Sequence, residues 1–409
     1  MVRMVSCFVM LVLTLVSLKL GASEIYLGVL SFALFGMWGC RMFTLTAVEK
    51  HGKRKVMIFW MTISVLFIIP LLLLPFLVNC WSSSACLALI LIAAFLRVGT
   101  YSLGNAGWFP ILHDIVPQPI TGRYFANMRT LWQIAGLITG LLITWLLWDN
   151  SDWWRFEIVF LVGLMAFVCR VATLVPMVEN PTISAKPKIS IPERFHEVIC
   201  HKQLRRLVFY IIAYLIAATI AEPFKIKFLK DHGYGDGFIL LTSIAMISVG
   251  AIVSLRFWGR FADRFGNSPI FAISHLMMPV VAILWLFVDN NRPILVLCLF
   301  FVWGVFDSGN RIGQTRYVLH SVAADKQNQI NIINIASGLS MGIAPLLGGV
   351  FLRLTGQFGI KLGSMSFNNY HFLFIISAAL FVLLHLLHRE IEPKKNAAVI
   401  PPDLPGQCQ

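Results

Sequence analysis

Residues 179–206, ENPTISAKPKISIPERFHEVICHKQLRR, form the one long polar stretch of a chain that is otherwise apolar almost throughout. Their prolines and Lys/Arg residues mark a solvated connector. On either side lie apolar runs of about 20 residues, each long enough to cross a bilayer core. The runs centre near residues 12, 35, 68, 95, 138 and 167 before the connector and 216, 246, 279, 305, 342 and 380 after it. The chain therefore reads as an all-α polytopic membrane protein with twelve transmembrane helices in two groups of six. An N-terminal bundle covers 1–178, a cytoplasmic linker 179–205, a C-terminal bundle 206–389 and a cytoplasmic tail 390–409. Within the linker, PERFHEVICHK predicts a short surface helix, with Pro192 in its first turn and Phe195, Val198 and Ile199 on one side.

Composition agrees. Hydrophobic residues make up 58% of the 409 and charged ones only 13%, where soluble domains carry about 25%. The net charge of +14 does not point to nucleic acid, because the basic residues gather in alternate loops. On one side lie 22 Lys/Arg and on the other, in the outer loops, 8 (Lys19, Arg155, Lys225, Lys227, Lys230, Arg292, Arg353 and Lys361), with Arg41, Arg97 and Arg170 inside spans. That bias places both termini in the cytoplasm of a multi-pass protein of the cell (inner or plasma) membrane. The apolar start reads as the first span, since no small-residue cleavage site follows it. Its shortness leaves the completeness of the N-terminus open. The eight cysteines show no metal-ligand spacing, and Cys80 and Cys86, flanking an outer loop, read as free thiols.

The two halves repeat. LTAVEKHGKRK (45–55) aligns with the loop after span 8, GRFADRFGNSP (259–269), at an offset of 214, so that Gly52 meets Gly266, Glu49 meets Asp263 and Lys50 meets Arg264. GTYSLGN (99–105) aligns with GVFDSGN (304–310) at an offset of 205, pairing Gly99, Gly104 and Asn105 with Gly304, Gly309 and Asn310. Both offsets are near half the chain length, as a parallel duplication requires.

With these motifs the chain resembles the major facilitator superfamily of secondary transporters. GRFADRFGN is similar to that family's acidic-basic loop, Gly-x-x-x-Asp-Arg-x-Gly, and Ala344 to Gly349, APLLGG, to its Pro-x-x-Gly-Gly ending in span 11. The first-half loop departs, with Leu45 for the leading Gly and Glu49 for Asp; Arg97 lacks the usual Gln-Gly companions, and span 5 lacks the proline of the antiporter signature. The resemblance implies two six-helix bundles about a pseudo-two-fold axis, with spans 3, 6, 9 and 12 outside. It also implies a conformational latch at Glu49, Gly52, Gly259, Asp263, Arg264 and Gly266. Physically, an Asp at the membrane edge can accept from helix N-termini or arginines in one conformation and lose them in another; the alternative is that Arg260 and Arg264 only anchor headgroups.

A charge at mid-bilayer costs about 2.5–3.5 kcal/mol on insertion scales and needs a reason. Arg97 in span 4, Glu222 before Pro223 in span 7, and Asp307 and Arg311 in span 10 are the deep charges. Two readings stand: Glu222 or Asp307 as a protonation site with Arg97 or Arg311 as anion partner, or fixed ion pairs that assemble the bundle, Asp307 and Arg311 being spaced i, i+4. In span 10 the stripe Asp307, Asn310, Arg311, Gln314 lies on one face; Asn310 recurs as Asn105 and reads as scaffold, whereas Asp307, Arg311 and Gln314 belong to the second half alone. Trp132 and Trp303 are candidates for stacking on a substrate. Trp81, Trp148, Trp153 and Trp154 read as interfacial anchors. His275 and the stripe Asn331, Asn334, Ser337, Ser340 read as packing groups.

Residues and resemblance together imply a secondary active transporter moving a small organic solute by alternating access, proton-coupled, and monomeric in the lipid bilayer. Deep bases at least match deep acids, which leans towards an anionic or zwitterionic solute. Two rivals stand: a passive facilitator (uniporter) whose charges only gate, and a transport-silent membrane sensor or assembly factor. No ATP-binding loop, metal cluster or nucleophilic triad is present in the sequence, so the chain reads as no enzyme, with no cofactor and no nucleic-acid partner.

Overall fold

The computed structural model describes residues 2–115, 121–148, 152–177, 191–321, 327–356, 358–362 and 365–391. Most of the expected linker (178–190) and tail (392–409) lies outside the described residues. Twelve helical spans follow one another, and they are numbered 1 to 12 here. The first six are Val2–Lys19, Glu24–Thr44, Lys53–Leu72, Ser83–Asn105, Thr121–Leu146 and Trp153–Leu174. The second six are Leu204–Asp231, Asp236–Phe265, Ser268–Phe287, Pro293–Val318, Gln329–Thr355 and Asn369–Leu386. Among the described residues, ten stretches, in spans 2–4 and 6–12, are long and apolar enough to cross a membrane. The twelve apolar runs of the sequence each fall on one of these helices.

Proline shapes several spans by lacking an N–H and favouring the first helical turn. Span 3 ends in the short helix Ile69–Leu72 and is followed by another, Leu74–Cys80, each with proline at its start. Span 7 stops at Thr219 and restarts as Glu222–Asp231, with Pro223 in the new first turn. This restart corrects the reading of Lys225, Lys227 and Lys230 as outer-loop residues. Pro223 opens a further helix, so all three sit on the last turns of span 7.

Two other local forms differ from regular α-helix. Span 2 tightens to a 3₁₀ stretch over Gly36–Thr44, and span 8 carries a π-turn over Leu241–Met246. Between spans 11 and 12, Gly359–Leu362 pairs antiparallel with Met365–Asn368, a small hairpin that the all-α reading did not contain. The surface helix expected in the linker is present as Ile191–Cys200, with Val198 buried and Ile199 exposed. Cys80 and Cys86 are free thiols.

The two bundles meet along spans 2 and 11. A Cβ on Gly342 would lie 2.6 Å from the Gly36 backbone, so span 11 has no room for a side chain at this crossing. Nearer the Glu24 end, Gly28 lies against the Pro345 carbonyl and Gly349 against the Glu24 backbone. Spans 5 and 8 meet at that same end, where Trp148 covers Gly237.

Candidate functional site

The helix restart in span 7 builds the first part of the site. Glu222 and Lys225 are three residues apart and pair at 2.8 Å. The Lys225 side chain is only 8% exposed, whereas that of Glu222 is 41% exposed. Ala221, Pro223, Phe224, Lys225 and Ile226, which cover every direction around the helix, are buried. Glu222 is thus the exposed partner of a buried lysine, on a helix segment whose neighbouring residues are buried. Lys225 Nζ lies 4.2 Å from the Trp303 ring centroid in span 10 and 5.7 Å from that of Trp285 at the end of span 9. Such stacking holds a desolvated ammonium favourably.

About one turn along span 10 from Trp303 lies Asp307. It accepts from the Tyr214 hydroxyl of span 7 at 2.8 Å and from Arg311 Nε at 2.5 Å. Asp307 is thus held both by its own helix and by span 7. Behind it, Asn310 donates to the Tyr210 hydroxyl at 2.8 Å and lies 3.1 Å from His275 Nε2. Tyr210 and His275 are themselves 2.8 Å apart, and Gln314 donates to Asn310. Asn310 and His275 are fully buried, so this network has the packing role read for both. Gln314 joins it through Asn310.

Arg97 lies elsewhere. It is buried, with its guanidinium 4.4 Å from the Phe167 ring centroid in span 6. Phe167 meets Tyr101 edge to face, and Arg170 lies over both Tyr101 and Trp108. The pairing of Arg97 with Glu222 or Asp307 is not what the structure brings together: those acids take Lys225, Tyr214 and Arg311. Trp132 is half-buried in span 5. In span 11, Ser337 and Ser340 donate to their own helix, as packing residues do. Asn331 Oδ1 and Asn334 Nδ2, however, are buried without a hydrogen bond, and so retain unused polar capacity.

At the opposite end from Glu24, the repeat is visible in the backbone. Gly52 and Gly266 have φ of +90° and +83° at helix junctions, a conformation that favours glycine. Asp263 bonds Arg316 of span 10 at 2.5 Å, while Arg264 lies over its neighbour Phe265. Gly259 faces open space. The Glu49 side chain lies outside the described residues.

Sequence reasoning missed Lys225, Tyr214 and Arg316. Each had a signal. Lys225 stands three residues after Glu222, Tyr210 and Tyr214 are an i, i+4 pair in an apolar run, and Arg316 follows the span 10 stripe.

The model of the Major Facilitator Superfamily matches residues 1–331 and, in a second match, 207–403. The chain belongs to the major facilitator superfamily. The second match begins near the start of span 7, in keeping with the internal repeat. Solved structures of superfamily transporters share its fold. A D-xylose–proton symporter has a TM-score of 0.71 at 13% identity, covering 98% of this chain and 95% of that one. A bacterial homologue of the iron transporter ferroportin in an inward-facing state has a TM-score of 0.66 at 11% identity, over 95% and 96%. The nucleoside transporter NupG has a TM-score of 0.62 at 15% identity, over 95% and 98%. No curated protein matches the sequence. At these identities the superfamily likeness concerns the fold.

Proposed function

We propose that this superfamily member is a secondary active transporter that carries a small anionic or zwitterionic organic solute with protons. Its two bundles rock about spans 2 and 11, with both termini cytoplasmic in the cell membrane. The observation that carries the reading is the Glu222–Lys225 pair inside span 7, buried on the lysine side and open on the carboxylate side. Ionised groups this deep are retained where they move a solute or an ion. Asp307, held by Tyr214 and Arg311, is a second acid at the site. That a D-xylose–proton symporter has the same fold supports proton drive. Asp263 and Arg316 serve as the latch that one conformation makes and the other breaks.

The test is substrate-driven proton movement in sealed vesicles, read with an external pH dye across a panel of metabolites. A substrate should alkalinise the medium with the wild type and fail to do so with Glu222→Gln and Asp307→Asn. Retention of pH-dependent transport by both variants sinks proton coupling through these residues.

A further inference from the structure

Lys225 is the least hydrated cation of the site. Its ammonium lies against the face of Trp303, with Trp285 on its other flank, and Glu222 is the one carboxylate the structure gives it. Among the described residues, two other acids of these spans have cations and hydroxyls of their own. Asp307 holds Arg311 and Tyr214, while Glu24 holds Lys227 and Tyr370. Glu222 approaches Lys225 from the exposed side, so a solute that reaches the lysine from that side meets it where that carboxylate now sits.

We propose that Lys225 is the solute-binding cation, that Trp303 is the platform that holds it, and that Glu222 is a displaceable internal stand-in for the carboxylate of the solute. The exchange balances in charge and atoms. A solute R–COO⁻ replaces the Glu222 carboxylate on the ammonium, and the released Glu222 carboxylate takes one proton from the aqueous phase. No covalent bond other than that O–H forms or breaks, and the complex gains no net charge. Stranding a second carboxylate without a cation at this site would cost several kcal/mol, which is why a proton accompanies the solute.

The same bookkeeping of charge selects the ligand class. One ammonium with a single monovalent competitor matches a monocarboxylate. A dianion, phosphate or a dicarboxylate, would need a second cation, and the nearest along these spans, Lys227 and Arg311, are engaged by Glu24 and Asp307. Arg97 is buried against Phe167 of span 6.

This inference rests on the proposed function only for the proton taken by Glu222; the Lys225 contact stands apart from it. The experiment is therefore ligand binding by the purified full-length protein in detergent, with no gradient present. Thermal unfolding is followed with lactate, butyrate, benzoate and indole-3-acetate, each beside its uncharged amide, and with succinate and inorganic phosphate. At least one monocarboxylate should raise the melting temperature, and its amide, succinate and phosphate should not. Its apparent Kd should rise about tenfold per pH unit where one proton is bound with it. Glu222→Gln should bind several-fold more tightly with a flat pH profile, and Lys225→Met should lose the ligand while Lys225→Arg keeps part of it. Glu222→Gln leaves the lysine in place, so its flat profile is readable even if Lys225→Met does not fold. The proposal is overturned if no monocarboxylate binds, if amides or dianions bind as well, if Lys225→Met binds like the wild type, or if Glu222→Gln keeps the pH slope. Binding that needs Lys225, with no proton movement in vesicles, sinks the coupling reading and leaves the Lys225 assignment standing.

Discussion

Lys227 Nζ of span 7 lies 2.7 Å from Glu24 Oε1 of span 2, an ion pair that ties one six-helix bundle to the other. The Tyr370 hydroxyl of span 12 donates to the same carboxylate oxygen at 3.2 Å. Both side chains of the pair are partly buried, so the pair is screened less than a surface one.

If the bundles part at this end during transport, that pair must break. Glu24→Gln should favour the state open at the Glu24 end by about 1 kcal/mol, a several-fold shift in population. Labelling of a cysteine introduced at Ser23 by a membrane-impermeant maleimide reads the shift. An unchanged labelling rate would mean that the pair is static.

The Asp307–Arg311 contact separates a working site from structural glue. Asp307→Asn leaves the Arg311 charge without its nearest partner, which should abolish transport and lower the melting temperature. The double variant Asp307→Asn with Arg311→Gln should regain stability, because both charges are gone. It should remain without coupled transport if Asp307 handles protons, and recovery of transport would assign the pair to assembly.

Asn310 is expected to behave as scaffold. Its amide is buried in a network with Tyr210, His275 and Gln314, so Asn310→Leu removes its bonds to all three and leaves the Gln314 amide without this acceptor. The expected loss is about 1–3 kcal/mol of stability, read as an earlier thermal unfolding, with the ligand affinity of the folded fraction unchanged.

Gly342 should be intolerant of any side chain. A Cβ there falls 2.6 Å from the Gly36 backbone, and backbone cannot move aside as a side-chain tip can. Overpacking of this kind costs about 1–3 kcal/mol. Gly342→Val should reduce the yield of folded protein or slow exchange between conformations, whereas Gly235→Ala, which meets open space, should leave both unchanged.

How much of this was legible in the sequence follows from which forces act along one helix and which act between helices. Span count and the repeat came from hydropathy and small-residue spacing, which are local, and Gly52 and Gly266 show the repeat even in backbone angles. The Asp307–Arg311 contact was visible for the same reason, being one helical turn long. Arg97 was not. Depth along span 4 says nothing of azimuth, and the aromatic side chain that Arg97 packs against belongs to span 6. Lys225 was hidden by the proline before it, because Pro223 reads as the end of a span although it starts the next helical segment. Asp263 was expected to find an arginine or a helix end, but that the arginine is Arg316 depends on how spans 8 and 10 pack.

The most direct measurement is uptake of the monocarboxylate that binds, radiolabelled, into proteoliposomes under an imposed pH gradient, with protein-free vesicles subtracted. The wild type should accumulate it above its equilibrium level only while the gradient lasts, and Glu222→Gln should bind it yet carry it no further than equilibrium. Uptake by the wild type that stops at equilibrium whatever the gradient would contradict proton-driven transport and leave a passive carrier in its place.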